Sequence, residues 1–450
     1  MRLRRLAVLV LVLTAELAHA GEPERKPRSV VLFIGDGMGL AHVTLGRLAA
    51  EHAGRPYVFD RFKTIGLCAT RSANNIVTDS AAASTALSSG YKTNNGFLGI
   101  DPEKRARTTI LELAHAAGLR TGLVTTTTIT NATPAGFASH VSERNDEGAV
   151  AAQYLGEGVD VLMGGGQKYF PAARLAVLAG QGYSYVASAE ALRAFPVRDG
   201  TKLLGVFTPG HMSYEIDRDP GREPSLREMT VKALDLLGKG GRPFFCMIEG
   251  GKIDHSGHLH DAMSLVHEQL AFADAIGAAL EHVERGDDLL VIATADHTTG
   301  GLALSEKLDL DGLAKVKISG EALVAKYPGV KLTESYATFK KVVEENYFFT
   351  PTEAELATAR NGHGEWGHVT AVQHAVSLHF GVGFFDLDHQ QLLQNATHGH
   401  EGSLVPVFSA GPGADRFTGI FDNTSIPKEV ARLLGLPSPG ALVGEKKRFY

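Results

Sequence analysis

Ser80 opens an alanine-rich stretch, Val77-Thr78-Asp79-Ser80-Ala81-Ala82-Ala83-Ser84-Thr85-Ala86. Thr, Asp and Ser are ordinary helix caps, which accounts for any one of them alone. The same position also suits chemistry. Free backbone N–H groups and the helix dipole would stabilise an alkoxide or a bound phosphate there. A serine hydroxyl needs activation, and a zinc ion on its oxygen can supply it without a histidine base.

Other chemistry-bearing residues fall in a pattern. Asp36 follows an apolar run ending at Ile34. Asn131 and Thr133 follow the run near Val124, and Glu249 directly follows Ile248. Asp254 and His258 lie in what reads as a glycine-rich loop just beyond. Asp296 and His297 follow the run ending at Ala293. Each has a plain explanation by itself, since Asp-Gly is usually a turn. Together they mark the carboxyl ends of successive strands, where open α/β sheets bind ligands. Asp with His and no Cys suits zinc or a similar divalent ion with open coordination positions. Carboxylates spread over four loops are too many for one ion, so two or three are expected. Two ions about 4 Å apart can clamp the attacking and leaving oxygens of a phosphoryl transfer.

The elements that must position these residues are short continuous apolar runs. They are Ser29–Ile34, Arg120–Val124, Val159–Met163, Pro243–Ile248, Asp288–Ala293 and Leu404–Ser409. Such runs bounded by Gly or Asp predict strands buried on both faces, as in a parallel sheet. Helix-like stretches alternate with them, at Asp79–Leu87, Thr109–Ala117, Ser225–Leu237 and Asp261–Arg285. The alternation predicts a doubly wound α/β fold with a mostly parallel central sheet flanked by helices. Residues from about 302 to 370 break the rhythm and hold the single Trp, Trp366. They are expected as an insertion over one end of the sheet. Gln390–Asn395 reads as a smaller insertion.

At 450 residues and 44% apolar composition, the chain can bury a large core on one sheet. A net charge of -6 without a basic stripe argues against nucleic acid as a partner. Arg2, Arg4 and Arg5, the run Leu6–Leu13 and Ala18-His19-Ala20 form a secretory leader over residues 1–20, too short to span a bilayer. Residues 21–450 are expected as a single domain without a membrane anchor, periplasmic or secreted. Gly21 rather than a Cys directly follows the cleavage point, and the C-terminus lacks an apolar anchor signal. The only cysteines, Cys68 and Cys246, both fall in strand-like runs, which favours two buried free thiols over a bridge.

Several segments resemble the alkaline phosphatases. They are Gly35-Asp36-Gly37-Met38-Gly39, Thr78-Asp79-Ser80-Ala81, Lys92-Thr93-Asn94-Asn95-Gly96 and Ala132-Thr133-Pro134-Ala135. Further along come Ile248-Glu249-Gly250-Gly251-Lys252-Ile253-Asp254-His255, Thr294-Ala295-Asp296-His297-Thr298 and His398-Gly399-His400-Glu401-Gly402. They occur in family order from about Val30 to Gly419. The resemblance implies hydrolysis of phosphate monoesters through a phosphoserine on Ser80, at alkaline pH. It implies two zinc ions and one magnesium ion. Asp254, His258 and His400 would form the first zinc site, with His398 a competitor for the role of His400. Asp36, Asp296, His297 and Ser80 would form the second. Asp36, Thr133 and Glu249 would hold magnesium. Arg144, in His140-Val141-Ser142-Glu143-Arg144, would grip phosphate with its planar fork; without the resemblance it reads as a surface arginine. Asn131 and His255 depart from parts of the family and would lie near magnesium and phosphate. A neutral amide at Asn131 should weaken outer-shell binding there. A homodimer is also implied.

Two other readings compete. A phosphodiesterase or sulfatase can share the fold, but the former generally uses a threonine nucleophile and the latter a modified Cys or Ser in a different motif. A non-catalytic metal- or phosphate-binding protein would be expected to lack a ligand or the nucleophile.

Overall fold

The computed structural model describes residues 25–360, 368–385 and 399–443. The expected leader, Trp366, Gln390–Asn395, His398 and the last seven residues lie outside the described residues. Ten strands form one sheet: β1 (Ser29–Gly35), β2 (Thr64–Ala69), β3 (Arg120–Thr128), β4 (Val161–Gly165), β5 (Tyr183–Val186), β6 (Lys202–Val206), β7 (Phe244–Gly250), β8 (Leu289–Thr294), β13 (Val405–Ala410) and β14 (Gly419–Asp422). Two short ladders complete the strands. One pairs β9 (Thr298–Thr299) with β12 (His400–Glu401), and the other pairs β10 (Ala303–Leu304) with β11 (Val382–Gly383). The sheet order is β14-β2-β13-β8-β1-β7-β3-β4-β6-β5.

The continuous apolar runs become the inner strands because both faces are covered by helices. Every residue of β1, β3, β7 and β8 is buried. β1 sits between β7 and β8, all three parallel, so their carboxyl ends share one edge. The 23-residue helix Ala262–Glu284 packs against this centre, its first turn capped by the Asp261 side chain on the Ser264 amide at 3.0 Å. Residues 302–385 hold the β10–β11 ladder and the helices Leu310–Lys315, Gly320–Lys326, Tyr336–Tyr347, Glu353–Arg360 and His368–His379.

The sheet is mostly parallel, as expected, with β13 the exception, antiparallel to both β2 and β8. It enters the sheet from the ligand edge, after β12, and therefore has to run backwards. Two other expectations are corrected. The strand expected to end at Val124 continues to Thr128. Asp254 and His258 lie on a helix, Lys252–His258, rather than in a loop. That helix starts so soon after β7 because Thr126 of the neighbouring strand accepts the amides of Gly251 at 3.0 Å and Lys252 at 3.2 Å. Its first free N–H groups thus find an acceptor.

Cys68 and Cys246 are buried and free. They sit on β2 and β7, separated by β13, β8 and β1. Four strand spacings amount to roughly 19 Å, and a disulfide needs Cα atoms within about 7 Å. Burial also pushes the Cys68 thiol up to about 12. Native protein should therefore react with no thiol reagent, and denatured, unreduced protein should titrate two thiols per chain. A titre of zero after denaturation would require a bridge that this sheet cannot make.

Candidate active site

The sheet's ligand edge gathers the acids that the sequence singled out. Asp36 follows β1 directly and is 3% exposed. Glu249, the penultimate residue of β7, is fully buried. Asp254 and His258 stand four residues apart on one face of the helix after β7. Asp296 and His297 occupy the turn between β8 and β9, and both are fully buried. His400 arrives from the far end of the chain, because β12 pairs with β9 and sets His400 opposite Thr299.

Two groups of ligand atoms result. Asp36, Asp296 and His297 each bring one donor atom within 4.8 Å of the others, as do Asp254, His297 and His400. His297 Nε2 lies 3.4 Å from Asp36 Oδ1 and 3.2 Å from Asp296 Oδ2. The second group also takes in His258. Its Nε2 is 3.3 Å from Asp254 Oδ2 and 3.1 Å from His400 Nε2, while His400 Nε2 is 3.5 Å from Asp254 Oδ1. The His297 and His400 rings stack at 3.7 Å, so His297 borders both groups.

The residues fit cations. Asp36 Oδ1, Glu249 Oε1 and Asp296 Oδ2 are buried and accept no hydrogen bond. Burial, and then Asp296, Asp254 and Glu249, raise the Asp36 carboxyl well above its ordinary value. Burial and Asp254 push Asp296 up to about 8. Burial raises Glu249 as well, against hydrogen bonds from Thr125 and Thr133. Asp254 goes the other way. Burial opposes its charge, but His258 and His400 beside it draw it well below the usual range. Burial and then the His400 charge keep His297 neutral far below its ordinary value. Bare carboxylate oxygens, imidazole nitrogens and no thiolate form a donor set for zinc-like and magnesium-like ions.

Glu249 is oriented by residues that sequence reading missed. Thr125 and Thr127 at the end of β3 both donate to its Oε2, Thr127 at 3.3 Å, so its unpaired Oε1 is left for another partner. Four consecutive threonines, Thr125 to Thr128, on a wholly buried strand were the available signal. Thr133 Oγ1 is 3.4 Å from Asp36 Oδ2. Asn131 is the half-buried N-cap of the helix Ala132–Ala138, and its side chain does not cap. The His255 ring meets His211 edge-on at 4.8 Å, and burial with the Lys252 charge lowers its basicity well below normal.

Ser80 is the first residue of the helix Ser80–Ser89, 3% exposed, with Oγ 3.2 Å from His297 Nε2. Asp79, also missed as a site residue, fixes this corner. Its Oδ1 accepts the Ala82 amide at 2.9 Å. Its Oδ2 accepts the Gly96 amide at 2.9 Å and Arg144 Nη1 at 3.1 Å. Asn95 accepts the Asp79 amide at 3.2 Å, so the Lys92–Gly96 segment backs the same turn. Arg144 is thus tied to the turn carrying Ser80 and feels the charges of Asp36 and Asp254.

A helix-capped serine facing buried carboxylates and imidazoles at a sheet's carboxyl edge defines a phosphoryl-transfer class of hydrolase. A model of the alkaline phosphatase family matches residues 27–436. Alkaline phosphatase 4 of Bacillus subtilis is 32% identical over 432 residues, covering 90% of this chain and 88% of its own. The Thermus thermophilus alkaline phosphatase structure superposes with TM-score 0.81 at 28% identity, covering 94% of each chain. A mutant alkaline phosphatase of the Antarctic bacterium TAB5, with Mg bound in the M3 site, superposes with TM-score 0.66 at 27% identity, covering 92% of this chain and all of that one. The chain belongs to the alkaline phosphatase family. It is a phosphomonoester hydrolase of a metal-dependent family.

Asp79 combines a helix cap with the Arg144 contact, and the two can be separated. Asp79→Ala should lower stability by about 1 kcal/mol, the usual worth of such a cap. Asp79→Asn keeps an acceptor for Ala82 and should lose less. Urea unfolding of the two variants checks this, and equal losses would mean that the cap is not what Asp79 contributes.

Proposed function

We propose that Ser80 is the nucleophile and that phosphate monoesters are hydrolysed in two displacements, fastest at alkaline pH. The observation that carries the reading is the position of Ser80 Oγ. It sits at a helix N-terminus, 3.2 Å from His297 Nε2, beside carboxylate oxygens that no protein donor satisfies. Asp254, His258 and His400 would hold the first zinc ion, and Asp36, Asp296, His297 and Ser80 the second. Asp36, Thr133 and Glu249 would hold magnesium, in keeping with the Mg-bound TAB5 relative. Bound ions supply positive charge that eases deprotonation of the serine and of water and neutralises the phosphoryl oxygens.

In the first displacement the Ser80 oxygen, having lost its proton, bonds to phosphorus as the ester oxygen departs and becomes the alcohol. In the second, water attacks the phosphoseryl group, frees inorganic phosphate and returns the hydroxyl. Arg144, held by Asp79, offers two N–H groups to non-bridging oxygens in both. Asn131 and His255 would lie near the magnesium and the phosphate, where they would order water around the phosphoryl group. A secretory leader, expected at residues 1–20, would direct export to the periplasm or medium, and the family supports a homodimer.

Acid quenching with labelled phosphate should leave label on Ser80. Ser80→Ala should retain bound ions yet lose nearly all turnover. Label on another residue, or none in a single turnover, would overturn the assignment. Arg144 gives a separate test. A hydrogen bond to a charged group contributes roughly 1.5–3 kcal/mol, so Arg144→Ala should lose about one to two orders of magnitude in kcat/KM. Much of that loss should appear as weaker competitive inhibition by inorganic phosphate, since product uses the same fork. An unchanged inhibition constant would place Arg144 outside the phosphate site.

A further inference from the structure

Thr299 carries no role in the reading above, yet it contacts residues of both ligand groups, Asp254 and His297. Its amide donates to Gly37 O at 3.0 Å, beside Asp36. It pairs across the β9–β12 ladder with His400. Its hydroxyl donates to Asp254 Oδ1 at 2.5 Å and lies 3.2 Å from His297 Nδ1. The surroundings are built around that hydroxyl. Gly37 has φ +69, and a Cβ there would lie 2.7 Å from Thr299 Oγ1 and 2.9 Å from Asp254 Oδ1. A side chain at Gly37 would therefore displace the contact.

Proton counting fixes the directions. A hydroxyl has one proton and can accept through its lone pairs. The short contact to an acceptor-only carboxylate takes the Thr299 proton. Oγ1 can then face His297 only as an acceptor, so Nδ1 bears the imidazole hydrogen. This leaves Nε2 with a lone pair, aimed at the space bounded by Ser80 Oγ, Asp36 and Asp296.

We infer that Thr299 is a positioning residue shared by both candidate zinc positions, its one hydroxyl orienting Asp254 for the first and setting the His297 tautomer for the second. The inference rests on the ligand assignment of the proposed function. Removing the hydroxyl frees Asp254 to rotate and His297 to change tautomer, so both positions weaken together. Outer-shell partners of this kind typically contribute ten- to a hundredfold in metal affinity.

The test compares Thr299→Ala with Thr299→Ser, which both lack the methyl and differ by the hydroxyl alone. Zinc affinity and stoichiometry are read by competition with a chromogenic chelator. Thr299→Ser should bind zinc like the parent. Thr299→Ala should bind both ions about ten- to a hundredfold more weakly. Metal-free Ala and Ser proteins should unfold at similar temperatures; a much lower one for Ala would make the hydroxyl structural and overturn the inference. Equal zinc binding by Ala and Ser, or weakening at one position only, would also overturn it. A parent enzyme that binds fewer than two zinc ions would instead remove the ligand assignment itself. Nitrogen-15 spectra of histidine-labelled, metal-free parent give a reading that needs no variant. His297 should be protonated at Nδ1, and the opposite tautomer contradicts the inference.

Discussion

The constraint on which this molecule turns is negative charge packed where water cannot reach it. Asp36, Glu249, Asp254 and Asp296 meet at one edge of the sheet, none more than 7% exposed. Two like charges about 4 Å apart repel by roughly 4 kcal/mol at an effective dielectric near 20. A few such pairs exceed the whole stability of a typical domain, about 5–15 kcal/mol. The metal-free chain relieves this by raising the proton affinity of Asp36, Asp296 and Glu249. Cations would relieve it without protonation, and three of these buried oxygens have no hydrogen-bond donor. The rest of the site serves that cluster. Threonine hydroxyls occupy one oxygen of Glu249 and one of Asp254, so each carboxylate presents the other at a fixed angle.

Topology makes such a cluster possible. Parallel strands β1, β7 and β8 bring three loops to the same edge by construction. Supplying His400 from beyond residue 399 needs a different device. A parallel strand would deliver its preceding residues to the opposite edge. β13 is antiparallel, so the residues before it begin at the ligand edge, and the β12–β9 ladder holds His400 against the His297 turn. The one reversed strand in the sheet and the placement of His400 are two aspects of one geometric choice.

The corner that holds Ser80 follows a related logic. Asp79 satisfies the first turn of the Ser80 helix with one oxygen and fixes Gly96 and Arg144 with the other. A cap that would be ordinary in any helix here also anchors Arg144.

Much of this was legible in the chain. The buried strands announced themselves as continuous apolar runs, because a strand covered on both faces has no polar face to show. The candidate ligands stood out as polar residues just past those runs, since the carboxyl edge is where the strands leave the core. Ser80 read as a helix start, and Cys68 and Cys246 as buried thiols. Resemblance then added Arg144 and His400, which periodicity alone left unmarked. Tertiary structure decided what depends on contacts between distant segments. The reversal of β13 is invisible in an apolar run, which reads the same in either direction. The helix carrying Asp254 and His258 looked like a glycine-rich loop because its cap, Thr126, comes from another strand. Thr299, Thr125, Thr127 and the second role of Asp79 escaped for the same reason. A hydroxyl or a cap acquires its function from the atom opposite it, and here that atom lies far away in sequence.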